Sequence, residues 1–137
     1  MAANQIPIFV ETVETATQDI VNADGTAVQD LVTAGVDGAR VFAVSVATDE
    51  TVGRDLALYL QRDGAGTNFL LGTVEVPAGS GFTGTVPAIA CLDPADIAVL
   101  DTDGSLILGG GDKLRVAPTS TLTAAKTMYV VAAYGDY

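Results

Sequence analysis

Between residues 40 and 48 the chain alternates. Phe42, Val44 and Val46 fall on one side of an extended strand, while Val41, Ala43, Ser45 and Ala47 fall on the other. One side is bulky and the other small, so the small side is also expected to be covered rather than wet. Residues 54–62 keep the same period, with Leu56, Leu58 and Leu60 opposed to Asp55, Ala57, Tyr59 and Gln61. The polar stretch 49–53 between them has the length of a connection between antiparallel neighbours. A turn at 63–67 leads into a third strand at 68–76, so residues 40–76 are expected to form a three-stranded meander.

A loop rich in Gly, Pro and Thr follows at 77–87. Shorter strand segments are expected at 6–12, 17–22, 27–32, 88–92, 105–108 and 114–117. The segment 127–134 sets Met128, Val130, Ala132 and Tyr134 against Tyr129, Val131 and Ala133, with no charge before Asp136. That pattern predicts a strand in the interior of a sheet. One short helical turn is expected at 93–100, capped by Asp93 with Pro94 in the first helical position. Many short strands at this spacing predict an all-β, single-domain antiparallel β-sandwich, jelly-roll-like, with at most one short helix. Residues 1–12 read as an N-terminal interaction arm or edge strand and 13–137 as the sandwich.

Composition narrows the chemistry. Of 137 residues, 49% are apolar and only 17% charged, which excludes a disordered chain. With 21 Ala, 17 Val and 16 Thr against eight aromatics and no Trp, the core is made of small and β-branched side chains. Seventeen acidic residues face six basic ones, for a net charge of −11. Arg40, Arg54, Arg62, Lys113, Arg115 and Lys126 are scattered rather than clustered, so neither nucleic acid nor an anionic membrane is expected as a partner. The first residues lack the pattern of a signal peptide, and no apolar run approaches a membrane span. Lone Cys91 allows no intrachain disulfide and reads as a small core residue, in keeping with synthesis in a reducing cytoplasm.

Without His, and with one Cys, the parts for most metal sites and nucleophile–base pairs are missing, so no enzyme, metal or cofactor is expected. Gly79-Ser80-Gly81-Phe82-Thr83-Gly84 matches G-x-G-x-x-G, but Thr85-Val86-Pro87 cannot open the helix that a dinucleotide site requires. Asp101-Thr102-Asp103-Gly104-Ser105 matches the middle of a calcium loop, whose first and twelfth positions would here be Val99 and Gly110. A turn headed by Asp101 explains the same residues, with loose calcium binding near Asp112 as the other reading. Lys113 and Arg115 share a strand face as solvent-facing or interfacial charges.

Several runs carry a family likeness: Asp24-Gly25-Thr26; Leu31-Val32-Thr33-Ala34-Gly35-Val36-Asp37-Gly38-Ala39-Arg40-Val41; Ala47-Thr48-Asp49; Leu70-Leu71-Gly72-Thr73-Val74; Val76-Pro77-Ala78-Gly79; and Leu114-Arg115-Val116-Ala117. Together they resemble small virion proteins of tailed bacteriophages, of the head decoration or cement type. The resemblance implies a structural protein on the outer surface of the capsid, made in the host cytoplasm. Its implied partners are the major capsid protein and itself, as a homotrimer. Candidate contact residues are Ile6, Pro7, Ile8 and Phe9 in the arm, with Val41, Ala43, Ser45 and Ala47 on the small strand face. The competing reading is a tail- or fibre-associated receptor- or carbohydrate-binding module, for which loop 77–87 would be needed.

Overall fold

A computed structural model describes Val10 and residues 12–137, and the described chain is all-β. Nine strands are present: β1 (Thr12–Val21), β2 (Gln29–Thr33), β3 (Ala39–Thr48), β4 (Arg54–Gln61), β5 (Asn68–Val76), β6 (Ile89–Ala90), β7 (Leu106–Leu108), β8 (Lys113–Pro118) and β9 (Thr127–Asp136). Sheet I has the order β1-β9-β3-β6, with β7 sharing the β6 edge of β3; sheet II has the order β2-β8-β4-β5. Every described pair is antiparallel. The β-sandwich is therefore established. Only β4–β5 and β6–β7 connect strands within one sheet; all the other connections cross over.

The core lies where the two inner faces meet. Val44 and Val46 of β3 and Met128, Val130 and Ala132 of β9 close against Leu56 and Leu58 of β4 and Leu114 and Val116 of β8. Strand β9 is interior, as its uncharged alternation indicates, pairing with β1 on one side and β3 on the other.

Two local expectations need correction. The stretch 40–76 is not one meander, because β3 lies in sheet I while β4 and β5 lie in sheet II. Its connection, residues 49–53, crosses the sandwich, and Glu50, its second residue, turns inward. The Glu50 side chain is 0% exposed, and its carboxylate accepts from the backbone N–H and, at 3.0 Å, the hydroxyl of Thr123. Arg54 lies beside it, with Nε 3.7 Å from Oε2. Asp49 accepts at Oδ1 from the Thr127 N–H, which ties the same connection to the start of β9.

The expected break between strands at 6–12 and 17–22 is absent where the chain is described, since β1 runs unbroken from Thr12 to Val21. Edge position explains the mismatch: most of β1 is exposed, so its Thr and Ala positions show no apolar alternation. The short helical turn expected at 93–100 is present as one turn at 93–97, capped by Asp93. Ile97 N–H donates to the Asp93 carbonyl at 2.8 Å, while Asp93 Oδ1 accepts from the Ala95 N–H at 2.9 Å. Ile97, fully buried, plugs the core from this turn. Gly72 of β5 makes room for it: a Cβ there would stand 2.2 Å from the Asp96 carbonyl oxygen.

Cys91 is a buried core residue, its N–H bonded to the Val44 carbonyl at 2.7 Å. Burial, assisted by the charge of Asp96, pushes its thiol up to about 12. At pH 8 the folded protein should therefore resist iodoacetamide over hours, while chain unfolded in urea is alkylated in minutes. Mass spectrometry reads the adduct, and rapid labelling without urea would contradict the buried thiol.

Candidate interaction surface

The outward side of sheet I is the surface to which sequence and fold both lead. β3 carries a bulge between Val41 and Ala43, marked by a shift in its register with β9. A bulge inserts one residue and reverses the alternation beyond it. Val41 thus points into the core, 0% exposed, together with Val44 and Val46, whereas Phe42 turns outward and is 42% exposed. Of the four strand candidates, Val41 is excluded from the outer surface, and Ala43, Ser45 and Ala47 are displayed on it. Ile6, Pro7, Ile8 and Phe9 lie outside the described residues.

Register places those three residues in rows. Thr15, Ala133 and Ala43 form one; Thr17, Val131, Ser45 and Ala90 form the next; Asp19, Tyr129 and Ala47 form a third. The Phe82 ring stacks on Tyr129, with centroids 5.7 Å apart and planes inclined by 22°. Phe82, Tyr129 and Val131 stay 39–53% exposed. Across these rows, Asp19 on the edge strand is the one acidic side chain, and no Lys or Arg is present. For a chain of net charge −11 this is a pronounced asymmetry.

Sheet II differs in kind. Asp30 on its outer face binds Arg115 at 2.7 Å and Lys113 at 3.1 Å, and Arg115 also reaches Asn68 at 2.9 Å. Burial opposes ionisation of Asp30, but its hydrogen bonds and charge contacts with Lys113 and Arg115 outweigh that and hold its carboxyl below the usual range. At the other end of β4, Asp55 and Glu75 face one another.

The far end of sheet I is closed by an ionic cluster. Arg40 spans Asp101 at 3.1 Å and Asp103 at 2.9 Å, placing a guanidinium where a calcium ion would have to sit. The hydroxyl and backbone N–H of Ser105 hold the Asp103 carboxyl below its ordinary value. Asp112 is engaged elsewhere, accepting from the Asp63 and Gly109 N–H groups. Among the described residues no group of three or more His, Cys, Asp or Glu side chains is placed to hold a metal ion.

The glycine motif serves the interaction surface itself. Gly81 has φ +78°, and a Cβ there would fall 2.8 Å from the Ala47 Cβ, so glycine lets the loop lie down on β3 and present Phe82. No helix follows it. An open groove of about 340 Å³ near Arg62, Asp63 and Asp112, and one of about 440 Å³ between Glu50, Gly79 and Phe82, are both shallow loop clefts. Sequence reading missed Tyr129, Val131 and Phe82. The uncharged alternation of β9 was the available signal for the first two, since a strand apolar on both faces has a second face to cover.

No family model matches the chain, and no curated protein matches it. Among solved structures, the chain is similar to one titled cyanophage Pam1 capsid asymmetric unit, with 16% identity and a TM-score of 0.46, over all of this chain and 94% of that one. It is also similar to the Eiger TNF structure from S. frugiperda, with 12% identity and a TM-score of 0.39, over 91% of this chain and 94% of that one.

Proposed function

We propose that this is a structural virion protein of the decoration or cement type, with jelly-roll-like connectivity, that binds the outside of an assembled phage capsid and stabilises it. The observation that carries the reading is the nearly uncharged outer face of sheet I on a strongly acidic chain. Exposed Phe82, Tyr129 and Val131 grouped on such a face form the kind of patch that marks a docking site. The sequence resemblance to phage head proteins supplies the partner, the major capsid protein, and the homotrimeric state. No catalytic, metal or cofactor role is assigned.

Attachment through several such faces in one oligomer makes each contact weak and release of the whole slow. A protein that binds only the assembled lattice stabilises it by mass action. The acidic remainder of the surface keeps unattached copies apart at high copy number.

The test mixes purified protein with shells that lack it and measures co-sedimentation and the temperature of shell rupture. Wild type should sediment with shells and raise that temperature. Val131→Glu introduces a charge into the docked face and should weaken attachment by tenfold or more, while the fold, checked by circular dichroism, is kept because Val131 points outward and is 40% exposed. Thr73→Glu on sheet II is the control and should bind as wild type. If wild type neither sediments nor protects, and labelled protein is found on the tail, the receptor-binding reading replaces this one.

A further inference from the structure

Among the described residues β1 is an edge strand of sheet I, and the geometry of that edge is specific. In an antiparallel strand the N–H and C=O of one residue point to the same side, and the side alternates along the chain. The Val21 N–H donates to Asp24 Oδ2 at 2.8 Å, and the Asp19 carbonyl accepts from Gln18 Nε2 at 3.3 Å, so the odd-numbered residues of β1 point away from β9. The β1–β9 register is unbroken, which extends this parity to Val13, Thr15 and Thr17. Their backbone groups have no hydrogen-bond partner among the described residues.

One end of the edge is therefore closed by the side chains of Gln18 and Asp24, and the other is open among the described residues. Strand β1 also lacks the usual protection of a sheet edge: it has ten residues, with no Pro, no Lys and no bulge. Val10 does not cover the opening, because its side chain lies over Gly135 on the outer face. Charge marks what the edge would receive. Glu14, within the open stretch and accepting from the Tyr134 hydroxyl at 2.6 Å, and Asp19, just beyond it, are the acidic side chains of β1, and there is no Lys or Arg before Arg40, which is itself paired to Asp101 and Asp103.

We propose that the open edge of β1, Val13–Thr17, takes up an extended segment of the capsid polypeptide by strand addition, and that this segment carries Lys or Arg opposite Glu14 and Asp19. Main-chain hydrogen bonds supply the adhesion and the charges set the register. The added strand would widen sheet I on the side of its uncharged face. This inference rests on the capsid-binding reading and specifies the contact.

The experiment follows hydrogen exchange of the Val13, Thr15 and Thr17 amides in wild-type protein, free and bound to shells, beside the shell affinity of Thr15→Pro and Thr15→Ala. Proline at 15 removes an N–H that points away from β9, so the internal ladder is kept. The inference expects fast exchange at all three amides in the free protein and at least tenfold slowing on shells. It further expects attachment weakened at least tenfold more by Thr15→Pro than by Thr15→Ala, which trims the same side chain and keeps the N–H. Bound protein whose three amides exchange as in the free state would overturn the inference and leave capsid binding standing. Slow exchange already in the free protein would overturn it too, showing the edge occupied from within. Wild type that does not bind shells at all removes both. If Thr15→Pro does not fold, the wild-type exchange decides alone.

Discussion

Replacing Glu50 with alanine should lower the unfolding free energy by about 3–5 kcal/mol, the range for breaking a buried ion pair from one side. Glu50 is the hub on which two connections converge. Its carboxylate holds both the N–H and the hydroxyl of Thr123 in the β8–β9 loop, and its own N–H donates to Thr48 Oγ1 at 3.1 Å. Without it the Thr123 amide loses its acceptor, and the half-buried Arg54 guanidinium retains only its contacts to Ser120 and the Thr123 hydroxyl. Glu50→Gln keeps one acceptor and should lose less. Thr123→Val removes only the hydroxyl bonds and should cost about 1 kcal/mol. Urea denaturation at pH 7 provides the measurement, with the same denaturant slope in every variant. A loss below about 1 kcal/mol for Glu50→Ala would show that the crossover does not depend on this carboxylate. Against a typical domain stability of about 5–15 kcal/mol the expected effect is large.

Gly72→Ala should destabilise by about 2–4 kcal/mol although it adds one methyl group, beyond the common cost of overpacking because backbone is in the way. The new Cβ would meet the Asp96 carbonyl at 2.2 Å and Ile97 Cγ1 at 3.1 Å. The turn at 93–97 must then lift, and Ile97 must leave the core with it. Ile97→Ala alone should cost a similar amount by leaving a cavity. The two losses share one cause, so the double variant should fall short of their sum by at least 1 kcal/mol. Strict additivity would mean that the turn does not move. Calorimetric or denaturant unfolding of the four proteins closes this cycle.

The strands were legible in the sequence wherever one face is buried and the other is not. Leu56, Leu58 and Leu60 mark β4, and the uncharged run of β9 announces its interior place. Pairing was less legible, because a five-residue polar connection looks the same whether it joins neighbours or crosses a sandwich. What marks the crossover is the inward turn of Glu50, and a glutamate in a polar stretch carries no sign of burial. The bulge at Phe42 was hidden for a related reason. Apolar residues occupy consecutive positions 41 and 42, so a strict period of two assigns Val41 to the wrong side. Of the candidate surface, Ala43, Ser45 and Ala47 could be found from β3 alone. Tyr129, Val131 and Phe82 join them only through cross-strand register and a loop that folds over, neither of which is local to any segment.

The place of β9 between β1 and β3 also governs how the chain can come together during synthesis. Sheet I is held across its middle by residues 127–136, the last of its strands to be made. Until they emerge from the ribosome, β1 and β3 have no ladder between them, and only sheet II has its own strands complete. Contacts of such wide sequence separation form slowly, and the waiting edges are open to pairing with other chains. Acidic residues spread along the waiting portion, with few cations to offset them, repel neighbouring nascent chains throughout that interval. Closure then comes as one late step, and it brings Tyr129 and Val131 into register with Ala47 and Ser45. The nearly uncharged face is thus assembled only once β9 has been made, and a chain that stops short of β9 does not carry it.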